Sequence, residues 1–238
     1  MSGWGIALIV VATMTGAFVQ GSVGFGHNLI AAPAMAFVDD RLVPGPAILG
    51  ATVLTGLMLI RDRHGVHLGE VRTALIGRVP ATIVAALTVA YLPDRSLAVL
   101  FAVLVLVAVA ISATGVHLRP TSSRLLGAGA LSGFMATTTS IGGPPMAMLY
   151  ANEDGRRMRG TLAGFFLVGS FLSVGALVVA GEFGAESLRL SLLQVPGIVA
   201  GFVASTLGAR RLDAGHTRTA VLGVSVLGAG SVLVKTLL

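Results

Sequence analysis

Two interruptions decide how this chain is read: Gly21-Ser-Val-Gly-Phe-Gly-His-Asn28 and Thr138-Thr-Ser-Ile-Gly-Gly-Pro-Pro145. Each lies inside a long apolar run, residues 4–38 and 125–151. Glycine and proline are the poorest helix formers, so each run is expected to unwind at its interruption. Unwound backbone survives in hydrocarbon only inside protein or beside a water-filled cavity.

The rest of the chain explains why hydrocarbon is the solvent. Of 238 residues only 11% are charged, 16 Lys+Arg and 10 Asp+Glu, where a soluble domain carries roughly 25%. The hydrophobic share is 55% and the mean hydropathy +0.91. Such a chain cannot cover its surface with polar groups, which excludes a cytosolic enzyme and a secreted domain. The net charge of +6 does not indicate nucleic acid, because the arginines lie scattered between apolar runs with no aromatic interleaving. The absence of cysteine excludes a disulfide framework, a thiolate metal site and a thiol nucleophile. Six further runs, residues 43–60, 71–92, 97–116, 161–180, 188–207 and 219–238, approach the roughly 20 residues of a membrane crossing. Trp4 opens the first run as an interfacial anchor would, and no cleaved signal peptide is expected.

The two halves resemble each other. Gly16 and Gly133 are 117 residues apart, as are Gly26 and Gly143, and Val79-Pro80 precedes Val195-Pro196 by 116. This ordering predicts a duplicated four-element unit: residues 1–116 as a first membrane repeat, 117–124 as a cytoplasmic linker and 125–238 as a second repeat. If every run crosses once, basic loop residues divide almost evenly between the two sides. If the first and fifth runs are re-entrant hairpins, eleven (Arg61, Arg63, Arg72, Arg119, Arg124, Arg156, Arg157, Arg159, Arg210, Arg211 and Arg218) face four (Arg41, Arg95, Arg189 and Lys235). Only the second arrangement obeys the positive-inside rule. The expected fold is therefore an all-α integral membrane protein. It is an inverted repeat of two units, each a re-entrant broken helix plus three transmembrane helices, the plan of many secondary transporters.

At each break a half-helix is expected to resume, near Leu29 and at Pro144, with its N-terminus aimed into the protein. Free N–H groups and the positive dipole end favour an anion there. Ser22, Gly24, Gly26, His27 and Asn28 in the first break, with Thr138, Thr139, Ser140, Gly142 and Gly143 in the second, are the candidate ligands. Packing kinks are the competing explanation, since small residues are common in membrane helices.

These residues also carry a resemblance. Gly21-Ser-Val-Gly-Phe-Gly followed by Pro33 resembles the first glycine motif of the TauE/SafE sulfite-exporter family, the toluenesulfonate uptake permease group. Ser140-Ile-Gly-Gly-Pro-Pro-Met-Ala-Met-Leu-Tyr150 looks like its second. The resemblance spans the whole chain. It implies a multi-pass anion transporter of the plasma membrane, a bacterial inner membrane, moving sulfite, sulfonates or other small sulfur-containing anions. The first motif departs from the commoner form at His27-Asn28, where further small residues are frequent.

Arg78 lies two turns into its run, and an ionisable residue inside a span is a functional hypothesis by default. It could grip an oxyanion bidentately or snorkel to the headgroups. Gln194 occupies the matching place in the second half. His27 reads first as a neutral hydrogen-bonding group or anion ligand in the break, with a coupling proton as the alternative. The pairs Gly129/Gly133, Gly160/Gly164 and Gly197/Gly201 are expected to pack helices within one chain, although a homodimer is allowed. Asp39, Asp40, Glu153 and Asp154 read as solvated loop charges or hairpin caps. No paired intramembrane carboxylates, nucleotide loop or metal-ligand spacing occurs, so neither an enzyme nor any cofactor or metal is expected. The function expected is proton-coupled secondary transport of a small sulfur oxyanion, with the anion, protons and lipid as partners. A passive anion channel on the same half-helix site is the alternative.

Overall fold

The computed structural model describes residues 1–116 and 118–208. The expected last span and Arg210, Arg211, Arg218, Lys235, His117 and His216 lie outside the described residues.

Helix α1 (Gly3–Val23) fills the first apolar run. It ends where Gly24 turns left-handed (φ 113) and returns its N–H to the Gln20 carbonyl at 2.7 Å, a glycine C-cap. Gly26 (φ 111) then opens α2 (His27–Val38). The break is thus three residues long, shorter than the sequence suggests. Only Gly24 and Gly26 take the conformation that needs glycine, and Gly21 stays helical. In the second half α6 (Ser122–Thr139) ends at Ser140, a non-glycine residue at φ 63, and α7 (Gly143–Ala147) follows. The expected pair of similar half-helices is therefore unequal. Helix α7 is barely more than one turn, and it tightens into i→i+3 bonds from Leu149 to Met146 (3.1 Å) and Tyr150 to Ala147 (3.0 Å), the usual end of a helix.

The remaining helices are α3 (Gly45–Asp62), α4 (Leu68–Tyr91), α5 (Asp94–Thr114), α8 (Gly155–Val179), α9 (Ala185–Leu192) and α10 (Val195–Gly208). Asp154 caps α8 by accepting from the Arg156 and Arg157 amides at 2.9 and 3.3 Å, in keeping with a hairpin cap. Residues 188–207, read as one span, form two helices bent by 44°. Pro196 lies in the first turn of α10, where it has no N–H to continue α9. Pro80, its counterpart in the expected repeat, lies inside the unbroken α4, so the sequence match there does not fix a common shape.

Five helical stretches, α1, α3 with its flanking turns, α4, α5 and α8, are long and apolar enough to cross a membrane, and the bent α9–α10 pair is a sixth if it is counted as one span. All regular structure among the described residues is helical. The chain is a multi-pass membrane protein. Its polarity is inverted accordingly: Ile76, Phe171, Val179 and Leu207 face outward, while Gln20, His27, Asn28, Arg78 and Gln194 are buried.

Helix α4 packs on α6, α1 on α10, and α3 on α8, so each pairing joins one half of the chain to the other. Gly129 backs onto the Ala74 carbonyl and Gly77 onto that of Leu126, while Gly197 and Gly201 back onto the carbonyls of Val10 and Met14. A Cβ at any of these would strike main chain, so the small residues bring backbones into contact within one chain. Gly160 does the same against the Asp62 carbonyl, whereas Gly164 makes only ordinary contacts.

Candidate functional site

The two breaks meet. Asn28, in the first turn of α2, donates from Nδ2 to the Ser140 carbonyl at 3.0 Å and to the Ala47 carbonyl at 3.3 Å. Both partners can only accept, which fixes the amide's orientation. Its Oδ1 is buried without a partner among the described residues. A Cβ on Gly143 would stand 3.2 Å from the Phe25 side chain, so the breaks also touch through apolar atoms. Side chains satisfy the unwound backbone. Gln20 Oε1 accepts from the His27 amide at 3.0 Å, Thr139 Oγ1 from the Ile141 amide at 3.2 Å, and Ser132 Oγ donates to the Gly142 carbonyl at 2.6 Å. This accounting is what a break in apolar surroundings requires.

Between them lies a cavity of about 50 Å3, room for a few waters. Gln20, Gly26 and Asn28 line it from the first break, and Ser140, Gly142 and Gly143 from the second. Thr55 of α3, Arg78 of α4, and Phe166 and Ser170 of α8 complete the polar and aromatic wall.

Arg78 is 1% exposed and held in a slot between α4, α6 and α8. Nη2 donates to Ser173 Oγ at 3.2 Å, which lies 2.8 Å from Thr137 Oγ1. The guanidinium carbon sits 5.0 Å from the Phe165 ring centroid, within cation–π range. Gly133 and Gly169 leave the space it occupies; a methyl on Gly169 would land on the guanidinium. Residues 165, 169 and 173 are spaced by four, so one face of α8 builds this slot. Among the described residues Nε and Nη1 have no partner, and no carboxylate pairs with Arg78. The side chain is turned inward, so the snorkelling alternative does not describe it. A buried cation without a counter-charge is costly, which makes it the strongest electrostatic feature of the cavity.

Other expected site residues lie elsewhere or have their hydroxyls committed. Ser22, Thr138 and Thr139 donate their hydroxyls to the carbonyls of Phe18, Phe134 and Met135, and Ser140 donates to the Thr139 carbonyl. The expected bank of free hydroxyl donors is absent at these four residues: the three helical hydroxyls take the carbonyl one turn back, and Ser140 takes that of its neighbour. Gly24 packs on Arg159 and Leu162. His27 is buried beside Gly16 and outside the cavity wall, with neither ring nitrogen bonded to a described residue; Gln20 meets the backbone need expected of it. Gln194 donates to the Pro46 carbonyl at 2.8 Å and packs on Gly50, so Arg78 and Gln194, matched in the expected repeat, do not share a surrounding.

Gln20, Thr55, Phe166 and Ser170 were not legible as site residues. Gln20 had a usable signal, an amide in an otherwise apolar run. A second feature also escaped the sequence. Asp62 accepts from Arg61 Nε at 2.8 Å and lies 3.5 Å from Arg159 Nε. Arg61 Nη2 also donates to the Gly21 carbonyl at 2.6 Å, and Arg159 Nη1 to that of Ser22 at 3.5 Å. This ion cluster grips the C-terminal end of α1, where cations suit the helix dipole.

A chain with two glycine breaks closing on one buried cation matches the family described as Sulfite exporter TauE/SafE, over residues 8–232. It belongs to that family. No curated protein and no solved structure matches it significantly. TauE/SafE proteins are membrane transporters, and membership implies a small anionic substrate.

Proposed function

We propose that this TauE/SafE protein is a secondary transporter that carries a small sulfur-containing oxyanion, sulfite or a compact sulfonate, across the plasma membrane. The observation behind this reading is Arg78: fully buried, without a carboxylate among the described residues, and lining the cavity where the breaks meet. An anion there would neutralise the guanidinium and accept from Nε and Nη1, in charge-assisted bonds. The α2 N-terminus and the Gly142–Gly143 backbone complete the wall, and the cavity's size suits a compact anion. Proposed with it are an inverted arrangement of the two halves, with the first and fifth runs re-entrant, and coupling to the proton gradient. His27, buried behind the first break with both ring nitrogens unbonded among the described residues, is the proposed proton carrier.

The test is uptake into proteoliposomes by wild type, Arg78→Lys and Arg78→Gln. Lys keeps the charge but loses the planar fork, so the expected order is wild type above Lys above Gln. The Gln variant should bind about ten- to a hundred-fold more weakly. Equal binding by all three removes Arg78 from the site. Saturable counterflow is expected of a transporter and absent from a channel. Collapsing the pH gradient should slow net uptake.

A further inference from the structure

We infer that the cavity selects a singly charged anion that also carries a hydrogen-bond donor, and that Asn28 Oδ1 is the acceptor which reads that donor. This deepens the proposed function and rests on it.

The charge part follows from Arg78. Among the described residues it is the one charged group in the cavity wall; Gln20, Asn28, Thr55, Ser140 and Ser170 are polar but neutral. One guanidinium compensates one negative charge. A dianion would keep its second charge in a site of low dielectric, where uncompensated charge is penalised heavily.

The donor part follows from Asn28, which is 7% exposed and in the same wall. Its two amide hydrogens are committed to the carbonyls of Ser140 and Ala47. It therefore cannot rotate to offer N–H to an anion without losing both bonds. What remains is Oδ1, buried and without a partner among the described residues. An oxyanion with only lone pairs would leave that oxygen unsatisfied, while an anion bearing an O–H or N–H would satisfy it. Two residues of one cavity wall thus carry, among the described residues, unpaired donors on a cation and an unpaired acceptor on a neutral amide. Hydrogensulfite, the protonated form of sulfite, has the matching chemistry, and the sulfite dianion does not. Asn28 would then be a specificity-determining residue at the position where this chain departs from the commoner glycine motif.

The experiment is direct binding to purified full-length protein in detergent, with three tetrahedral anions of similar size. Sulfamate is a monoanion with N–H donors, methanesulfonate a monoanion without any, and sulfate a dianion. Sulfamate is expected to bind about ten-fold more tightly than methanesulfonate, the worth of one hydrogen bond to a buried acceptor. Sulfate should bind weaker again, by about ten-fold or more for its uncompensated charge. With sulfite, apparent affinity should rise as pH falls through the conversion of dianion to monoanion, while methanesulfonate affinity stays flatter. Asn28→Ala, taken from its monodisperse fraction, should lose the preference for sulfamate over methanesulfonate. The ligand series on unaltered protein stands even if that variant does not fold. Equal affinity for sulfamate and methanesulfonate, or sulfate binding as tightly as either, overturns this inference and leaves anion transport standing. Binding of none of them, sulfite included, overturns the proposed function and this inference together.

Discussion

Asn28 of the first break donates to the Ser140 carbonyl of the second at 3.0 Å, across 112 residues of sequence. The bond ties the two interruptions into one structure, and Ser140 holds a left-handed conformation (φ 63) that costs about 1–3 kcal/mol outside glycine.

Removing that tie should therefore be felt as stability. Asn28→Ala leaves the carbonyls of Ser140 and Ala47 buried without this donor, an expected cost of about 1–3 kcal/mol. Ser22→Ala is the control, since its hydroxyl bonds only to Phe18 of its own helix. Thermal unfolding in detergent should show a lowered midpoint for the first variant and little change for the second. Equal midpoints would mean that the breaks are held together by packing alone.

Gly169 and Gly175 lie on the same helix in opposite circumstances. A methyl at Gly169 would occupy the Arg78 guanidinium, and one at Gly175 would meet nothing within 4 Å. Gly169→Ala is expected to displace Arg78 and lower anion affinity by about ten-fold, the order of one lost charged hydrogen bond. Gly175→Ala should transport like wild type. Uptake kinetics on both decide it, and an unimpaired Gly169→Ala protein would show that the guanidinium has room to move without loss.

The cluster of Asp62 with Arg61 and Arg159 pins the end of α1 beside the first break. Asp62→Asn removes the negative charge between two arginines, whose side chains are only about a quarter exposed. Loss of the charge-assisted bonds should cost about 1.5–3 kcal/mol. Denaturant unfolding in detergent measures it. A variant as stable as wild type would indicate that the carbonyls of Gly21 and Ser22 suffice to hold both arginines.

Topology is open to a labelling test because the chain has no cysteine. Ser2 and Ser123 are both exposed at helix starts. The re-entrant arrangement places Ser2 outside and Ser123 inside. Ser2→Cys should react with an impermeant maleimide in intact cells, and Ser123→Cys only after permeabilisation. Labelling of both in intact cells would sink the arrangement and the charge asymmetry that motivates it.

Composition alone determined the membrane class, because too few charged residues exist to form a water-facing surface. The positions of Gly24, Gly26 and Gly142–Pro145 marked both breaks, since glycine and proline act on the backbone at their own positions. Motif order indicated the family for the same local reason. The sequence also marked Arg78, because a charge in an apolar run is conspicuous without any partner. It misjudged the hydroxyls of Thr138 and Thr139, whose preferred acceptors lie in their own helix, and it did not show the 44° bend within the 188–207 run. Which polar groups share a cavity was decided only by tertiary packing. Arg78 and Ser173 are 95 residues apart, and bare glycine backbone at Gly133 and Gly169 is what lets their helices close around the guanidinium. Whether Asn28 presents a donor or an acceptor was likewise undecidable from its identity. An amide carries both, and only the carbonyls of Ala47 and Ser140 on neighbouring elements use up its hydrogens and leave the oxygen free.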